Sequence, residues 1–378
     1  MENRKNIKKN ITADTQNVES NIPHKLKPSK IIFPLLFGAV FTGALLYFQL
    51  KGKNFSIDAL QITVVSVFWL FIAAMCMVCR DVGYILRLRT LSDNQLTLRQ
   101  ALRIIMLWEF TSAITPTSVG GTSVAVIFIH KEGISIGKSA SIVLLTSFLD
   151  ELYFVLMFPL LIILVGTETL FSVGDIEKGI SFTNEFFYFG FLGYVLILLY
   201  VLFVGYGLFI NPKVIKKAIL KIFQLRFLRR WRKSARRAGF DIEKGSSDYK
   251  SKPFNFWVKA FGSTFLSWTA RYWVVNFIFI AFFIVPKSHF LLFARQLVMW
   301  IMMLVSPTPG GSGLSELVFS NYLSDFLPPT AGLAVVMAVI WRFYTYYPYL
   351  FVGAALVPSW LRKSFKMTKI KSILPPKI

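Results

Sequence analysis

Apolar runs of about twenty or more residues recur along this chain, at 31–50, 57–79, 139–165, 186–210, 254–285 and 331–357. A helix needs about 20 apolar residues to cross a hydrocarbon layer of roughly 30 Å, so each run reads as a spanning helix. Charged residues make up 16% of the chain, against roughly 25% in soluble domains. The reading is an all-α polytopic membrane protein, and ordinary soluble folds are excluded. Residues 1–30 are polar and basic, and no small-residue cleavage pattern follows the first run. They read as a disordered basic tail, with 31–50 a retained span.

Two further apolar stretches are interrupted. Residues 101–130 break at T-P-T-S-V-G-G-T (115–122), and residues 290–322 break at S-P-T-P-G-G-S-G (306–313). Proline and paired glycines cost a helix interior about 1–3 kcal/mol each, so each break is expected to be a non-helical tip between two short helices. Charge decides whether these stretches cross or return. If both cross, the segment 211–253, with 14 basic and 3 acidic residues, faces outward. If both are re-entrant, 34 of the 42 basic residues collect on one side, together with both termini. The acidic loop 166–185 then faces the other way. The re-entrant topology follows, with both termini and the tail 359–378 cytoplasmic.

The halves repeat. Arg80 and Arg271, Trp108 and Trp300, Pro116 and Pro307, and Gly121 and Gly311 are 191, 192, 191 and 190 positions apart. Asp150 falls opposite Trp341, beside Arg342. Repeat one covers 31–165 and repeat two 186–358, with 211–253 a basic cytoplasmic insert. Three crossings per repeat is an odd number, so the second copy is inverted and the re-entrant elements enter from opposite faces. Inverted repeats with broken helices place a binding site where the breaks meet, and irregular backbone survives in a bilayer only against protein or a wet cavity.

Charges at membrane depth are costly and mark function by default. The acidic set is Glu109, Asp150, Glu151 and Glu316; the basic set is Arg271, Arg342 and, nearer the surface, Arg80 and Arg295. Arginine suits bidentate contact with phosphate. The plainer alternative is interhelical pairing, for instance Arg342 with Asp150 or Glu151. Gly121–Ser123 and Gly311–Gly313 are each expected to precede a short helix whose N–H groups attract anions. The competing reading is tip-to-tip packing, which glycine also permits. Adjacent Asp150 and Glu151 should not both ionise readily, which suggests a carried proton. Arg342, Tyr346 and Tyr349 share one helical face.

The segment 212–239 carries R-R-W-R-K at 229–233, with Ile215, Ile219, Ile222 and Phe223 at helical spacing. An amphipathic helix on the anionic inner-leaflet surface is expected, and nucleic acid is not, because no recognition module accompanies the charge. Cys76 and Cys79 read as packing residues. No metal site and no cofactor are expected.

The first tip followed by Asp150 and Glu151, and the second tip followed by Glu316, resemble the flippase-like transmembrane domain of bacterial lysylphosphatidylglycerol synthases. The resemblance covers roughly 31–362. It implies a lipid translocase in a bacterial inner membrane. Its cavity would be lined by Glu316, Asp150, Glu151, Arg271, Arg342, Glu109 and Arg80, and by the tip residues Pro116, Thr117, Gly120, Gly121, Pro307, Thr308, Pro309, Gly310, Gly311 and Gly313. The implied partner is a membrane lipid with an anionic or phosphate-containing headgroup. The chain ends about 20 residues beyond the last span, so the soluble aminoacyl-transfer domain and its catalysis are not expected. A secondary transporter of a small anion and a non-transporting subunit or enzyme acting on a polyprenyl-phosphate lipid stay open as alternatives, as does a homo-oligomer.

Overall fold

The computed structural model of the chain describes residues 62–115, 118–171, 174–175, 180–181, 183–222, 248–286, 288–303, 308, 310–328 and 332–373, with a few isolated positions. The tail 1–30, nearly all of the expected first span and most of the insert 223–247 lie outside the described residues. So do Pro116, Thr117, Pro307 and Pro309.

The architecture is helical apart from a two-residue strand pair, Gly174–Asp175 with Ile180–Ser181. The helices are α1 (Val64–Leu91), α2 (Leu98–Ile114), α3 (Ser118–Lys131), α4 (Ile136–Val165), α5 (Thr167–Phe171) and α6 (Thr183–Gly205). They continue as α7 (Pro212–Ile222), α8 (Phe254–Ala281), α9 (His289–Met303), α10 (Leu314–Tyr322), α11 (Leu333–Thr345) and α12 (Tyr347–Ile373). A π-helical turn, Tyr206–Ile210, extends α6. Three of these helices are long and apolar enough to cross a membrane: Val64–Leu91, Ile136–Val165 and Phe186–Ile210.

On α1 the exposed residues Val64, Phe68, Phe71, Met75, Val78, Val82 and Leu86 recur every three to four positions. The apolar stripe of a soluble helix faces the core; here an apolar stripe faces outward, as a lipid solvent requires. The other face of α1 packs against α8, the most extensive helix–helix contact in the fold. Small residues let the two backbones approach. Gly83 lies against Ser263 and Ser267, and Ser267 Oγ donates to the carbonyls of Arg80 (3.0 Å) and Ser263 (2.9 Å). Such pairs hold helices together where hydrophobicity distinguishes nothing.

Both α1 and α8 have 28 residues, and their ends are 190 positions apart. α2 and α9 each form a hairpin with the following helix, and an arginine–carboxylate pair ties each hairpin's open end. These pairs are Arg103–Glu132 at 2.7 Å and Arg295–Asp325 at 2.8 Å, with members 192 and 193 positions apart.

Four boundaries differ from the sequence reading. α1 runs twelve residues past Cys79, to Leu91, so Arg80 and Arg87 belong to a buried helix rather than a cytoplasmic loop. The expected span 331–357 is two helices broken at Tyr346, whose φ/ψ of −131°/−57° is non-helical. Pro348 accounts for the break, since proline fits the first turn of a helix but cannot continue one. The second helix, α12, carries on to Ile373 through much of the expected tail. Finally, Gly120 and Gly121 lie inside α3, not in a non-helical tip. A Cβ at Gly121 would come 2.0 Å from Ser112 Oγ and 2.8 Å from Ser112 Cα, so glycine there lets α3 fold closely against α2.

Candidate functional site

The second tip is the irregular one. Gly310, Gly311 and Gly313 have φ of +56°, +69° and +84°, a region that L side chains avoid. The turn delivers the chain into α10, where Glu316 caps its own helix: its Oε2 accepts the Gly313 N–H at 2.7 Å. Glu316 Oε1 takes Arg342 Nε at 2.9 Å, and Arg342 Nη2 reaches the Gly310 carbonyl at 2.9 Å. Glu316 and Arg342 are 3% and 5% exposed. Together they staple the tip to α11, and the Arg342 guanidinium also lies 4.4 Å from the Tyr346 ring centroid.

The two hairpins meet here. Tyr346 Oη donates to the carbonyl of Ala113, in the last turn of α2, at 3.0 Å. A Cβ on Gly310 would be 2.4 Å from the Tyr346 ring and 2.8 Å from that carbonyl. Tyr346 is free to point sideways because the helix breaks at it.

Between the hairpins lies a cavity of about 240 Å³. α2 contributes Glu109, Ser112 and Ala113; α8 contributes Arg271 and Tyr272; α9 contributes Gln296 and Trp300. Thr308, Gly310 and Gly311 come from the tip, and Trp341, Arg342, Tyr346 and Tyr349 close the wall. Ser112, Tyr272 and Gln296 are absent from the sequence reading. Their signal was available for Tyr272, which adjoins Arg271, but not for the others, which look like ordinary polar positions on apolar helices.

The charges divide into paired and unpaired groups. Arg80, 1% exposed, lies behind the wall. It donates to Asp81 at 2.9 Å and to Glu109 at 2.6 Å, with its guanidinium 4.5 Å from the Tyr84 ring and 4.9 Å from the Tyr349 ring. Tyr349 Oη donates to both oxygens of Asp81, at 2.9 and 3.0 Å. Arg271, the counterpart of Arg80 in the second half, has Tyr272 where Arg80 has Asp81. Among the described residues it forms no ion pair or hydrogen bond; its guanidinium lies 5.8 Å from the Trp268 ring and lines the cavity.

Asp150 and Glu151 are not in the cavity wall. Asp150 accepts from both Arg87 terminal nitrogens, one at 3.1 Å, and from Trp268 Nε1 at 2.6 Å. Arg87 also reaches Thr264 at 3.1 Å. The pairing of Arg342 with Asp150 or Glu151, considered from sequence, is thus replaced by Arg342–Glu316 and Arg87–Asp150. Arg87 was overlooked because it was counted as loop; its spacing from Arg80 and Tyr84, seven and three residues, would have exposed it as a continuation of the same helical face. Arg295, counted among the intramembrane cations, is a brace: it holds Asp325, the Tyr322 carbonyl and the Thr169 carbonyl.

An all-helical chain with an outward apolar stripe and an internal, charge-lined cavity between two broken hairpins defines a polytopic membrane protein with a central site. The model of the lysylphosphatidylglycerol synthase transmembrane region matches residues 34–353, and the chain belongs to that family. A UPF0104 membrane protein of Archaeoglobus fulgidus is 28% identical to it over 300 residues, covering 74% of this chain and 82% of the relative. No solved structure matches the chain.

Proposed function

We propose that this protein moves a phospholipid or glycolipid between the leaflets of a membrane, with the headgroup passing through the cavity between the two hairpins. The observation that carries this reading is Arg271. An uncompensated guanidinium in a low-dielectric cavity attracts an anion, and its planar donor fork matches phosphate. Family membership supports a role that involves membrane lipid.

In this reading the two hairpins are re-entrant and the halves form an inverted repeat. The matched helix ends of α1 and α8 and the matched hairpin ties support that arrangement. Alternating access comes from one half rocking against the other about the α1–α8 seam. The carboxylate-paired arginines Arg80 and Arg342 hold the wall, while Arg271 holds the headgroup. Acyl chains stay in lipid. The chain performs translocation and no bond chemistry. It sits in a bacterial inner membrane with both termini cytoplasmic. There the exposed Lys213, Lys217 and Lys221 of α7, whose Ile215 is buried beside Gly207, rest on anionic headgroups.

The test is transbilayer movement of fluorescent phospholipids in vesicles containing the purified protein. Accelerated movement in the wild type and its loss in Arg271→Ala support the reading. Equal rates in protein-containing and empty vesicles would overturn it.

A further inference from the structure

Four carboxylates around the cavity have donors. Asp81 takes Arg80 and Tyr349; Glu109 takes Arg80; Asp150 takes Arg87 and Trp268; Glu316 takes Arg342 and the Gly313 N–H. Glu151 has none among the described residues: no hydrogen bond or ion pair from them reaches it, and its Oε2 is shut away from solvent. An ionised carboxylate with one oxygen shut from solvent carries a desolvation cost that no hydrogen bond from the described residues offsets. The neighbouring Asp150 carboxylate, paired with Arg87, adds like-charge repulsion to that cost. Adding a proton removes both penalties.

The groups on the helices packed against α4 offer no counter-charge. Arg87 of α1 is committed to Asp150, and Arg295 of α9 to Asp325. Arg271 of α8 lies against Trp268. His130 of α3 faces the Ile134 carbonyl, and Glu168 of α5 is an exposed anion. Tyr200 of α6 and Tyr272 of α8 lie within electrostatic reach of Glu151 and are uncharged donors.

Tyr272 links this carboxyl to the cavity. It lines the wall, and its buried hydroxyl also lacks any hydrogen-bond partner. Phe154 follows Glu151 by one helical turn on α4. Its ring stacks on Trp300 of the cavity wall at 4.0 Å and lies 6.3 Å from the Tyr272 ring. Two buried polar groups without partners among the described residues thus lie close to one aromatic stack, and such groups take up water when the stack parts.

Resting on the translocase reading, we infer that Glu151 is a proton-binding site coupled to movement of the headgroup: protonated while the Phe154–Trp300 stack is closed, and ionised when that stack opens to water. The step is acid dissociation only. The O–H bond of the Glu151 carboxyl breaks, the proton passes to water on one side, and the carboxylate regains a proton from water on the other. One proton crosses per cycle, and the lipid undergoes no covalent change.

Two measurements on the purified full chain test this. The first is infrared absorption of the protonated-carboxyl C=O stretch at neutral pH. The band should be present in the wild type, persist in Arg271→Ala and vanish in Glu151→Gln; its absence from the wild type, or survival in Glu151→Gln, overturns the inference. The second is phospholipid movement in vesicles under an imposed proton gradient. The gradient should change the wild-type rate several-fold and leave Glu151→Gln unchanged; an equal response in both overturns the inference. If neither protein moves lipid, the translocase reading fails, and the infrared result still decides whether Glu151 binds a proton. Melting in detergent checks that both variants are folded.

Discussion

Arg87 and Asp150, 63 positions apart, form a two-pronged ion pair joining α1 to α4, with Trp268 of α8 donating to the same carboxylate. Three helices from both halves of the chain therefore converge on a single anion. A pair of this kind is weak evidence for net stability, because desolvation consumes most of the attraction, but removing one partner strands the other. Asp150→Asn should lower stability by about 3 kcal/mol, read as a reduced melting temperature in detergent. The double variant Arg87→Met/Asp150→Leu should recover much of that loss. A loss in the double variant equal to that in the single would mean that the pair itself, and not the stranded charge, sets the cost.

Arg271→Ala should separate function from folding. Among the described residues the side chain holds no ion pair or hydrogen bond, only the Trp268 ring contact, so its removal should leave the melting temperature nearly unchanged. Charge-assisted contacts are worth about 1.5–3 kcal/mol, so binding or movement of phosphate-bearing lipid should fall roughly 10- to 100-fold. Lipid-movement assays beside melting curves give both readouts.

Gly310→Ala should open the contact between the hairpins. Its φ of +56° disfavours any side chain, and the new methyl would strike the Tyr346 ring. The backbone term alone costs about 1–2 kcal/mol. Displacement of Tyr346 would also break its bond to the Ala113 carbonyl. The expected outcome is lower stability together with faster hydrogen exchange at the end of α2, measured by mass spectrometry.

The turn between α1 and α2 carries a pH-sensitive brace. Burial raises the Asp93 carboxyl, but hydrogen bonds from Lys138 and Lys252 outweigh it and hold the group below the usual carboxylate range. A lowered folded value means that the stabilisation is complete above the unfolded value of about 3.9, and is lost as pH falls through the folded value. Asp93 has φ +55°, which asparagine tolerates, so Asp93→Asn removes charge without straining the turn. Between pH 6 and pH 3 the variant's melting temperature should fall less than the wild type's.

The long helices were legible because length and apolarity act locally: α4, α6 and α8 begin and end within a few residues of the apolar runs that announced them. The end of α1 was not, because Arg80 and Arg87 look like the start of a cytoplasmic loop until their partners are known. The break at Tyr346 was hidden in an apolar run, although Pro348 marked it. The glycine pairs looked alike in sequence and differ in structure. Gly121 makes room for Ser112 inside a helix, whereas Gly310 and Gly311 supply positive φ.

Sequence alone determined that the chain is helical and that it belongs in a membrane, because hydrophobic length and spacing are properties of the chain itself. Which charges are spent and which are free was decided only by tertiary structure. Arg80 and Arg271 occupy matching positions, yet one is neutralised by Asp81 and Glu109 and the other faces an open cavity. Asp150 and Glu151 are adjacent, yet one meets Arg87 and the other has no hydrogen bond or ion pair among the described residues. A charge buried in low dielectric takes its character from the groups within a few ångströms of it, and those groups lie as many as 268 positions away along the chain.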